Sequence, residues 1–370
     1  MSKILMTGIT GLVGSAFATA LLQAAPNVKL VALSRGRGTR SAADRVAEAL
    51  REQCAFDGAP GRADAVVNSI QVIDGDIAEI SHFSKDPRLA GVDTIFHCAA
   101  DVNLGKDPDG KTFENNYQGT KNVLALAHEM RIKAFHYVST AYVAGKLKGT
   151  APEDGLLAED FYNSYEKSKF LAETIVRESG IPFAIYRPSI VVGRLCDGRI
   201  RKPLAFYRLL DFLGRFKSHR CSKLGLKSSS AIEMPLRLEA MPSEHVYFVP
   251  VDYVQDTITK IFLMPVCNRT YHITGDSPVS TKAIEEVVTD VLKVTGVKVQ
   301  AVVDNPSMDE KLVHRFLGDL LPYFSSQAVF DVKNVREAFN NAKIPWTMDI
   351  NDLKVLVRGY YKESFPELVD

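Results

Sequence analysis

Cysteine is sparse in this sequence and never falls in a chelating pattern. Cys54, Cys98, Cys196, Cys221 and Cys267 are odd in number and scattered, without CxxC spacing, which excludes a disulfide framework and a zinc knuckle and fits a reducing cytoplasm. Long hydrophobic runs are also missing. The apolar N-terminal segment is broken by Thr7, Gly8, Thr10 and Gly11, unlike a signal-peptide core, and no later stretch is long enough to cross a bilayer. A soluble protein without a membrane partner is therefore expected. Neither sign of charge dominates: 45 Lys and Arg face 44 Asp and Glu, so no global pull toward nucleic acid arises. Repeats and low-complexity tracts are absent, and His272, His314 and Trp346 form no metal-binding pattern, so they are read as packed or surface residues. With 370 residues and 46% apolar side chains, the chain can bury a substantial core as one large or two fused domains.

What is present starts at the N terminus. The apolar run Ile4-Leu5-Met6 meets Thr7-Gly8-Ile9-Thr10-Gly11-Leu12-Val13-Gly14 and then a helical pattern at Phe17, Leu21 and Leu22. A strand, a glycine turn and a helix aim backbone N–H groups and the positive helix end at a phosphate, so Gly8, Thr10, Gly11, Leu12, Val13 and Gly14 are the expected pyrophosphate cradle. The alternative is a glycine-rich turn with no ligand. The glycine spacing resembles that of the short-chain dehydrogenase/reductase superfamily, particularly its extended members.

The next predicted strand, 28–33, ends at Ser34-Arg35-Gly36-Arg37-Gly38-Thr39-Arg40, where dinucleotide folds place the adenosine ribose. The acidic residue that would bond the 2′-OH of NAD is lacking. Arg35, Arg37, Arg40 and Arg45 surround that position instead and suit the extra phosphate of NADP(H), with Arg35 and Arg45 the expected contacts; a solvated basic loop is the other reading. A further predicted strand, 92–100, ends in Ala99 and Ala100, which leave room for the cofactor, while His97 and Cys98 read as packed residues. From the superfamily resemblance, Asp76 with Ile77 contacts the adenine. Asn116, in Asn116-Tyr117-Gln118-Gly119-Thr120, supports the catalytic architecture, and Pro188 and Ile190, in Arg187-Pro188-Ser189-Ile190-Val191-Val192-Gly193, lie beside the nicotinamide.

The strongest chemical signal is Ser164-Tyr165-Glu166-Lys167-Ser168-Lys169, which opens a predicted helix to about Glu178. Tyr165 and Lys169 are four apart and share one helical face. A free phenol exchanges protons poorly at neutral pH, and a nearby ammonium favours its phenolate, so the pair reads as an acid/base device. The resemblance adds that Lys169 bonds the nicotinamide ribose and that Thr140, after the strand 134–138, stands beside Tyr165, with Ser139 as the runner-up. Alternating strands and helices imply an α/β fold, a Rossmann-type doubly wound parallel sheet with a smaller C-terminal α/β substrate-binding lobe. The expected nucleotide-binding part is 1–193 plus about 246–275, and the lobe is about 194–245 and 276–370.

The strings GDI, HCAADV, NNYQGT, YVSTAYVAG, YEKSK, RPSIVVG and VPVDYV narrow the resemblance to the thioester-reductase and fatty acyl-CoA reductase branch, also called male-sterility-like, as far as about Thr274. That branch reduces acyl thioesters on CoA or on an acyl or peptidyl carrier protein with NADPH to aldehydes, and in some members to alcohols. No adenylation, carrier or condensation sequence stands in these residues, so the substrate is expected to be delivered from elsewhere. Two other readings stay open: another extended activity, such as a nucleotide-sugar epimerase or dehydratase or a hydroxysteroid-type dehydrogenase, and a non-catalytic NADP-sensing protein. The segment 194–227 is rich in Arg and Lys interleaved with Leu and Phe and predicts a basic amphipathic helix, read as a solvated lid, a dock for a carrier protein or CoA phosphates, or a membrane-surface contact. Oligomeric state is left open.

Overall fold

Apolar runs alternating with helical patterns assemble into a sheet covered on both faces. In the computed structural model, which describes residues 2–276, 278–340 and 348–369, seven strands pair in parallel. They are β1 (Lys3–Thr7), β2 (Lys29–Ser34), β3 (Ile70–Asp74), β4 (Thr94–His97), β5 (Ala134–Val138), β6 (Phe183–Pro188) and β7 (Arg269–Ile273). Their order across the sheet is β7-β6-β5-β4-β1-β2-β3. Strand addition reverses between β1 and β4, and a crevice opens at the carboxyl ends of such a pair. Ile4, Leu5 and Met6 have no exposed surface, as expected of a central strand buried on both faces. The α/β doubly wound architecture is as expected.

Helices α1 (Leu12–Ala24), α2 (Ala42–Phe56), α3 (Gly119–Glu129), α4 (Ser164–Glu178), α5 (Phe206–Lys223) and α6 (Val251–Phe262) follow in chain order. Helix α2 starts on a reciprocal cap between Ser41 and Asp44. Helix α4 starts at Asn163, whose side chain accepts from Glu166 N at 3.0 Å, so the helix begins one residue before Tyr165. On one sheet face Phe17 of α1 stacks on Phe96 of β4 at 3.9 Å between ring centroids, with Phe262 of α6 edge-on. Burying one such ring is worth about 1.5–3 kcal/mol. The same apolar cluster continues through Phe206 and Phe248 to Val357 and Leu368, so the sheet and the C-terminal residues share one core.

Several elements depart from expectation. The stretch 246–250, inside the part expected to complete the nucleotide-binding domain, is split into strands His245–Val246 and Phe248–Pro250, and the second pairs with Ile190–Val192 outside the main sheet. The backbone switches partner there: Ser189 N donates to Ile273 O, whereas Ile190 N donates to Tyr247 O. The helix Thr281–Leu292 ends where Lys293 takes a left-handed conformation (φ 52°), and a strand Val294–Gln300 starts at once. Its parallel partner, Ile232–Glu239, had no predicted counterpart, although Ile232, Met234, Leu236 and Leu238 alternate inward. The predicted irregular linker 57–63 contains a short 3-10 turn, Pro60–Arg62, leading into a helix, Ala63–Asn68.

The basic segment 194–227 folds inward. Helix α5 buries Phe206, Leu209, Leu210 and Leu213, and Lys217, expected on a basic face, is fully buried and donates to Leu292 O. Arg194, Arg208, Arg215 and Arg220 pair with Asp197, Asp319, Asp211 and Asp309. Internal carboxylates thus take up much of the charge. No described helix is long and apolar enough to cross a membrane.

Candidate active site

At the β1/β4 switch point the chain leaves β1 into the glycine turn. Gly8 has φ +75°, and a Cβ there would lie 2.5 Å from Ala99 N and the Cys98 carbonyl carbon, so a side chain would collide with the end of β4. A Cβ at Gly14 would lie 2.2 Å from Gly8 O, so only glycine lets α1 start this close to the turn. Helix α1 begins at Gly11 with no side-chain cap and no acidic residue in its first turn, leaving its positive end for an anion. The turn faces a cleft of about 400 Å³ lined by Gly8, Thr10, Gly11, Arg35, Arg45, Asp76, Ile77, Ala99 and Ala100. These expected cofactor residues are therefore brought together, and the crowded turn, uncapped helix and basic rim fit a dinucleotide.

Other expected positions lie elsewhere. Leu12, Val13 and Gly14 form the first turn of α1, and they, like the buried Pro188 and Ile190, are not among the residues that line this cleft. Of the arginines, Arg35 and Arg45 line the cleft, whereas Arg40 is bound to Glu48 on α2. Arg35 NH1 meets Asp76 Oδ2 at 2.7 Å, so the expected adenine-contacting carboxylate also steers an arginine. Cys98, read as a packed strand residue, lines the cleft instead.

A polar chain fastens β1 to the wall opposite. Thr7 Oγ1 accepts from Cys98 N and Ala99 N at 3.2 and 3.1 Å. Thr120 Oγ1 donates to Asn116 O at 2.6 Å, so it accepts from His97 Nε2 at 3.0 Å, leaving the Thr7 hydroxyl to donate to His97 Nδ1 at 2.7 Å. Burial, aided by the charge of Lys169, lowers His97 to about 3, so the ring is neutral. Asn116 itself sits in a π-helical turn, Glu114–Gln118, that interrupts the predicted continuous helix. Its side chain accepts from Asp101 N at 2.8 Å and donates to Asp101 O at 3.0 Å and Ser168 Oγ at 3.1 Å. It thereby ties the loop after β4 to α4.

Thr140, Tyr165 and Lys169 converge where this loop meets α4, and all three are buried. Burial pushes the Tyr165 phenol well above its ordinary value, and hydrogen bonding with Thr140 opposes that rise. Lys169 Nζ donates to Val138 O at 2.7 Å and lies 4.1 Å from the centre of the Tyr137 ring. Burial lowers its ammonium to about 8, against the charges of Cys98 and Glu173. The Lys169 ammonium is thus engaged by a carbonyl and a ring, not by the phenol as its spacing suggested. Tyr165 and Lys169 stand on α4, which Asn116 and Ser168 join to Asp101 in the cleft wall. Ser139, the runner-up hydroxyl, is beside Glu173.

Two supporting groups were not foreseen. Tyr323, from the turn Leu321–Ser325, donates to Glu166 Oε1 at 2.5 Å and accepts from Asn163 Nδ2 at 2.8 Å, bracketing Tyr165, and its ring meets Tyr142 edge-on at 4.8 Å. Behind α4, Arg187 Nε and NH2 grip Glu173 at 2.9 and 2.6 Å, while NH1 donates to Glu153 O at 3.1 Å and to His272 Nε2 at 3.2 Å. His272 is fully buried in this network and His314 is exposed; Trp346 falls outside the described residues. The described residues hold no cluster of three metal-ligating side chains.

Comparison with known proteins places this geometry. Residues 6–258 match the model of an NAD-binding family described as male sterility protein. The non-canonical nonribosomal peptide synthetase FrzA of a Cladobotryum species is 26% identical over 285 residues, covering 73% of this chain and 26% of that protein. Fatty acyl-CoA reductase 1 of Xenopus laevis is 28% identical over 224 residues, 51% of this chain and 43% of that one. The chain thus spans between about a quarter and two fifths of these relatives. The crystal structure of the terminal R domain from the myxalamid PKS-NRPS pathway superposes with a TM-score of 0.74 at 23% identity, over 100% of this chain and 93% of that domain, which shows a shared fold. With more than half of its residues matched, the chain belongs to the male sterility family of NAD-binding proteins.

Proposed function

We propose that this protein is an NADP(H)-dependent oxidoreductase that reduces an acyl thioester, presented on CoA or on a carrier protein, to an aldehyde. The observation that carries this reading is a cleft formed by the glycine turn and rimmed by Arg35 and Arg45, whose wall at Asp101 is joined through Asn116 and Ser168 to the helix that bears the buried Tyr165 and Lys169. Thr140, Tyr165 and Lys169 act as catalytic residues, and Asn116 ties α4, which carries Tyr165 and Lys169, to the loop after β4. Gly8, Thr10, Gly11, Leu12, Val13 and Gly14 receive the pyrophosphate, Arg35 and Arg45 the 2′-phosphate, Asp76 and Ile77 the adenine. Ala99, Ala100, Pro188 and Ile190 flank the rest of the cofactor. The nucleotide-binding part is 1–193 with about 246–275, and about 194–245 and 276–370 form the acyl-binding lobe.

When bound, the dinucleotide supplies hydride to the thioester carbonyl carbon. Thr140 and Tyr165 donate hydrogen bonds to the carbonyl oxygen, and these strengthen as negative charge builds there. Burial keeps the Tyr165 phenol protonated, so its O–H is present as a donor. Lys169 orients the nicotinamide ribose. The tetrahedral adduct expels its thiol, which leaves with little acid help because thiols have pKa values of about 8.5. A covalent nucleophile is unnecessary, and the cysteine in the cleft is unsuited to the role, since burial pushes the Cys98 thiol up to about 11.

The family membership and the relatives, a fatty acyl-CoA reductase and a peptide synthetase, support a thioester substrate over a sugar nucleotide. Incubation with NADPH and a panel of acyl-CoA and acyl-carrier thioesters, following cofactor absorbance and free thiol together, tests the reading. Loss of absorbance matched by thiol release is expected for at least one acyl class. Absorbance loss with nucleotide sugars or hydroxysteroids and with no thioester would overturn it.

A further inference from the structure

The chain from Arg194 to Pro203 crosses from the sheet toward the lobe and on its way presses two cations onto the glycine turn. Arg201 is buried and fully engaged: NH2 donates to Gly11 O at 3.0 Å and to Ser15 Oγ, Nε to Gln53 Oε1 at 3.1 Å, and NH1 to Glu52 Oε2 at 3.0 Å. A guanidinium whose fork is spent on a loop carbonyl, a hydroxyl, an amide and a carboxylate is a fastener. Lys202, next to it, is only half-buried, and its ammonium donates to Thr10 O. An ammonium has three N–H donors, and among the described residues Thr10 O is its one hydrogen-bond partner.

Thr10, whose carbonyl holds Lys202, lines the cleft together with Arg35 and Arg45, and Lys202 feels the charge of Arg45. We propose that Lys202 is a third cation for the 2′-phosphate of NADP(H), brought over the glycine turn from outside the nucleotide-binding part and held there by Arg201 as a positioning residue. The inference rests on the reading of this cleft as an NADP site and names a specificity-determining residue within it. The electrostatics agree. Burial and the positive charges of Arg201 and Arg45 lower the Lys202 pKa, while Glu52 and Glu48 raise it. Three cations gathered around one opening repel one another, and a phosphate carrying nearly two negative charges relieves that repulsion as it binds.

The site also faces the cofactor pyrophosphate, which NAD(H) shares, so the test separates the two phosphates. Lys202→Met keeps the aliphatic stem and removes the charge, and Lys202→Arg restores it. Dissociation constants of wild type and both variants for NADPH, NADH and 2′,5′-ADP are measured by fluorescence or calorimetry without acyl substrate. The expected result is NADPH and 2′,5′-ADP binding weakened roughly tenfold in Lys202→Met, NADH binding unchanged, and recovery in Lys202→Arg. Unchanged NADH affinity also shows that the glycine turn is intact. Equal weakening of NADPH and NADH would place Lys202 at the pyrophosphate or in loop support and overturn the proposal, as would unchanged NADPH affinity. Wild-type protein that binds NADPH no better than NADH would overturn the NADP reading itself.

Discussion

Tyr165→Phe is expected to bind NADPH like the wild type and to lose turnover by about 10²–10⁴-fold, the range for removing a positioned acid. The substitution removes one oxygen from a buried ring and leaves the packing of α4 unchanged in volume. What disappears is the hydroxyl that Thr140 faces and that the carbonyl oxygen needs as charge develops on it. Asn116, Ser168 and the Lys169 bond to Val138 O remain, so the helix and the cofactor residues stay in register. Single-turnover rates and cofactor titration of the same preparation separate the two effects. A near-wild-type rate would remove Tyr165 from the chemistry, and loss of cofactor affinity would make it a structural residue.

Arg187→Met carries the largest expected effect on stability, about 3–5 kcal/mol, the cost of breaking a buried ion pair from one side. Burial raises the Glu173 carboxyl, and Arg187 overrides that, holding it below the ordinary glutamate value. A carboxyl whose folded pKa is depressed contributes stability above its unfolded pKa and loses it as pH falls through the folded value. In the variant the guanidinium is gone and Arg177, at 3.4 Å, is the remaining cation, so burial dominates and the carboxyl rises. The deficit should therefore be full above the variant's raised Glu173 pKa and shrink as pH falls from there through the wild type's depressed one, below which Glu173 is protonated in both proteins. Thermal melts across that range check the sign. A deficit that does not change with pH would assign the loss to packing or to the carbonyls of Pro152 and Glu153, and a second change, Glu173→Leu, should recover much of the stability only if the stranded charge is its cause.

Much of this site is legible because it is local. The glycine turn and the pair Arg35 and Arg45 follow from short-range patterns and line one cleft, and the Tyr165 to Lys169 spacing falls on one helix as read. The supports are long-range and carry no local signal. Tyr323 reaches Asn163 from 160 positions away, and Lys202 reaches Thr10 from 192. Both depend on how the lobe folds back over the sheet. The reading of 194–227 as a basic face failed for Lys217 and for the paired arginines because counting charges does not show which find carboxylates in space. The strand Ile232–Glu239 was different: its inward alternation of Ile232, Met234, Leu236 and Leu238 was visible and overlooked. The π-helical turn at Asn116 lies in between, since a helix was foreseen while its extra residue, which places the amide between Asp101 and Ser168, was not.

Label transfer tests the central claim most directly. With NADPH deuterated at the transferable position of its nicotinamide and an acyl thioester that the protein consumes, the aldehyde should carry one deuterium on its carbonyl carbon for each thiol released. Thiol released alongside unlabelled carboxylic acid would mean hydrolysis, and an oxidised cofactor with the thioester intact would mean another substrate; either result would contradict the account.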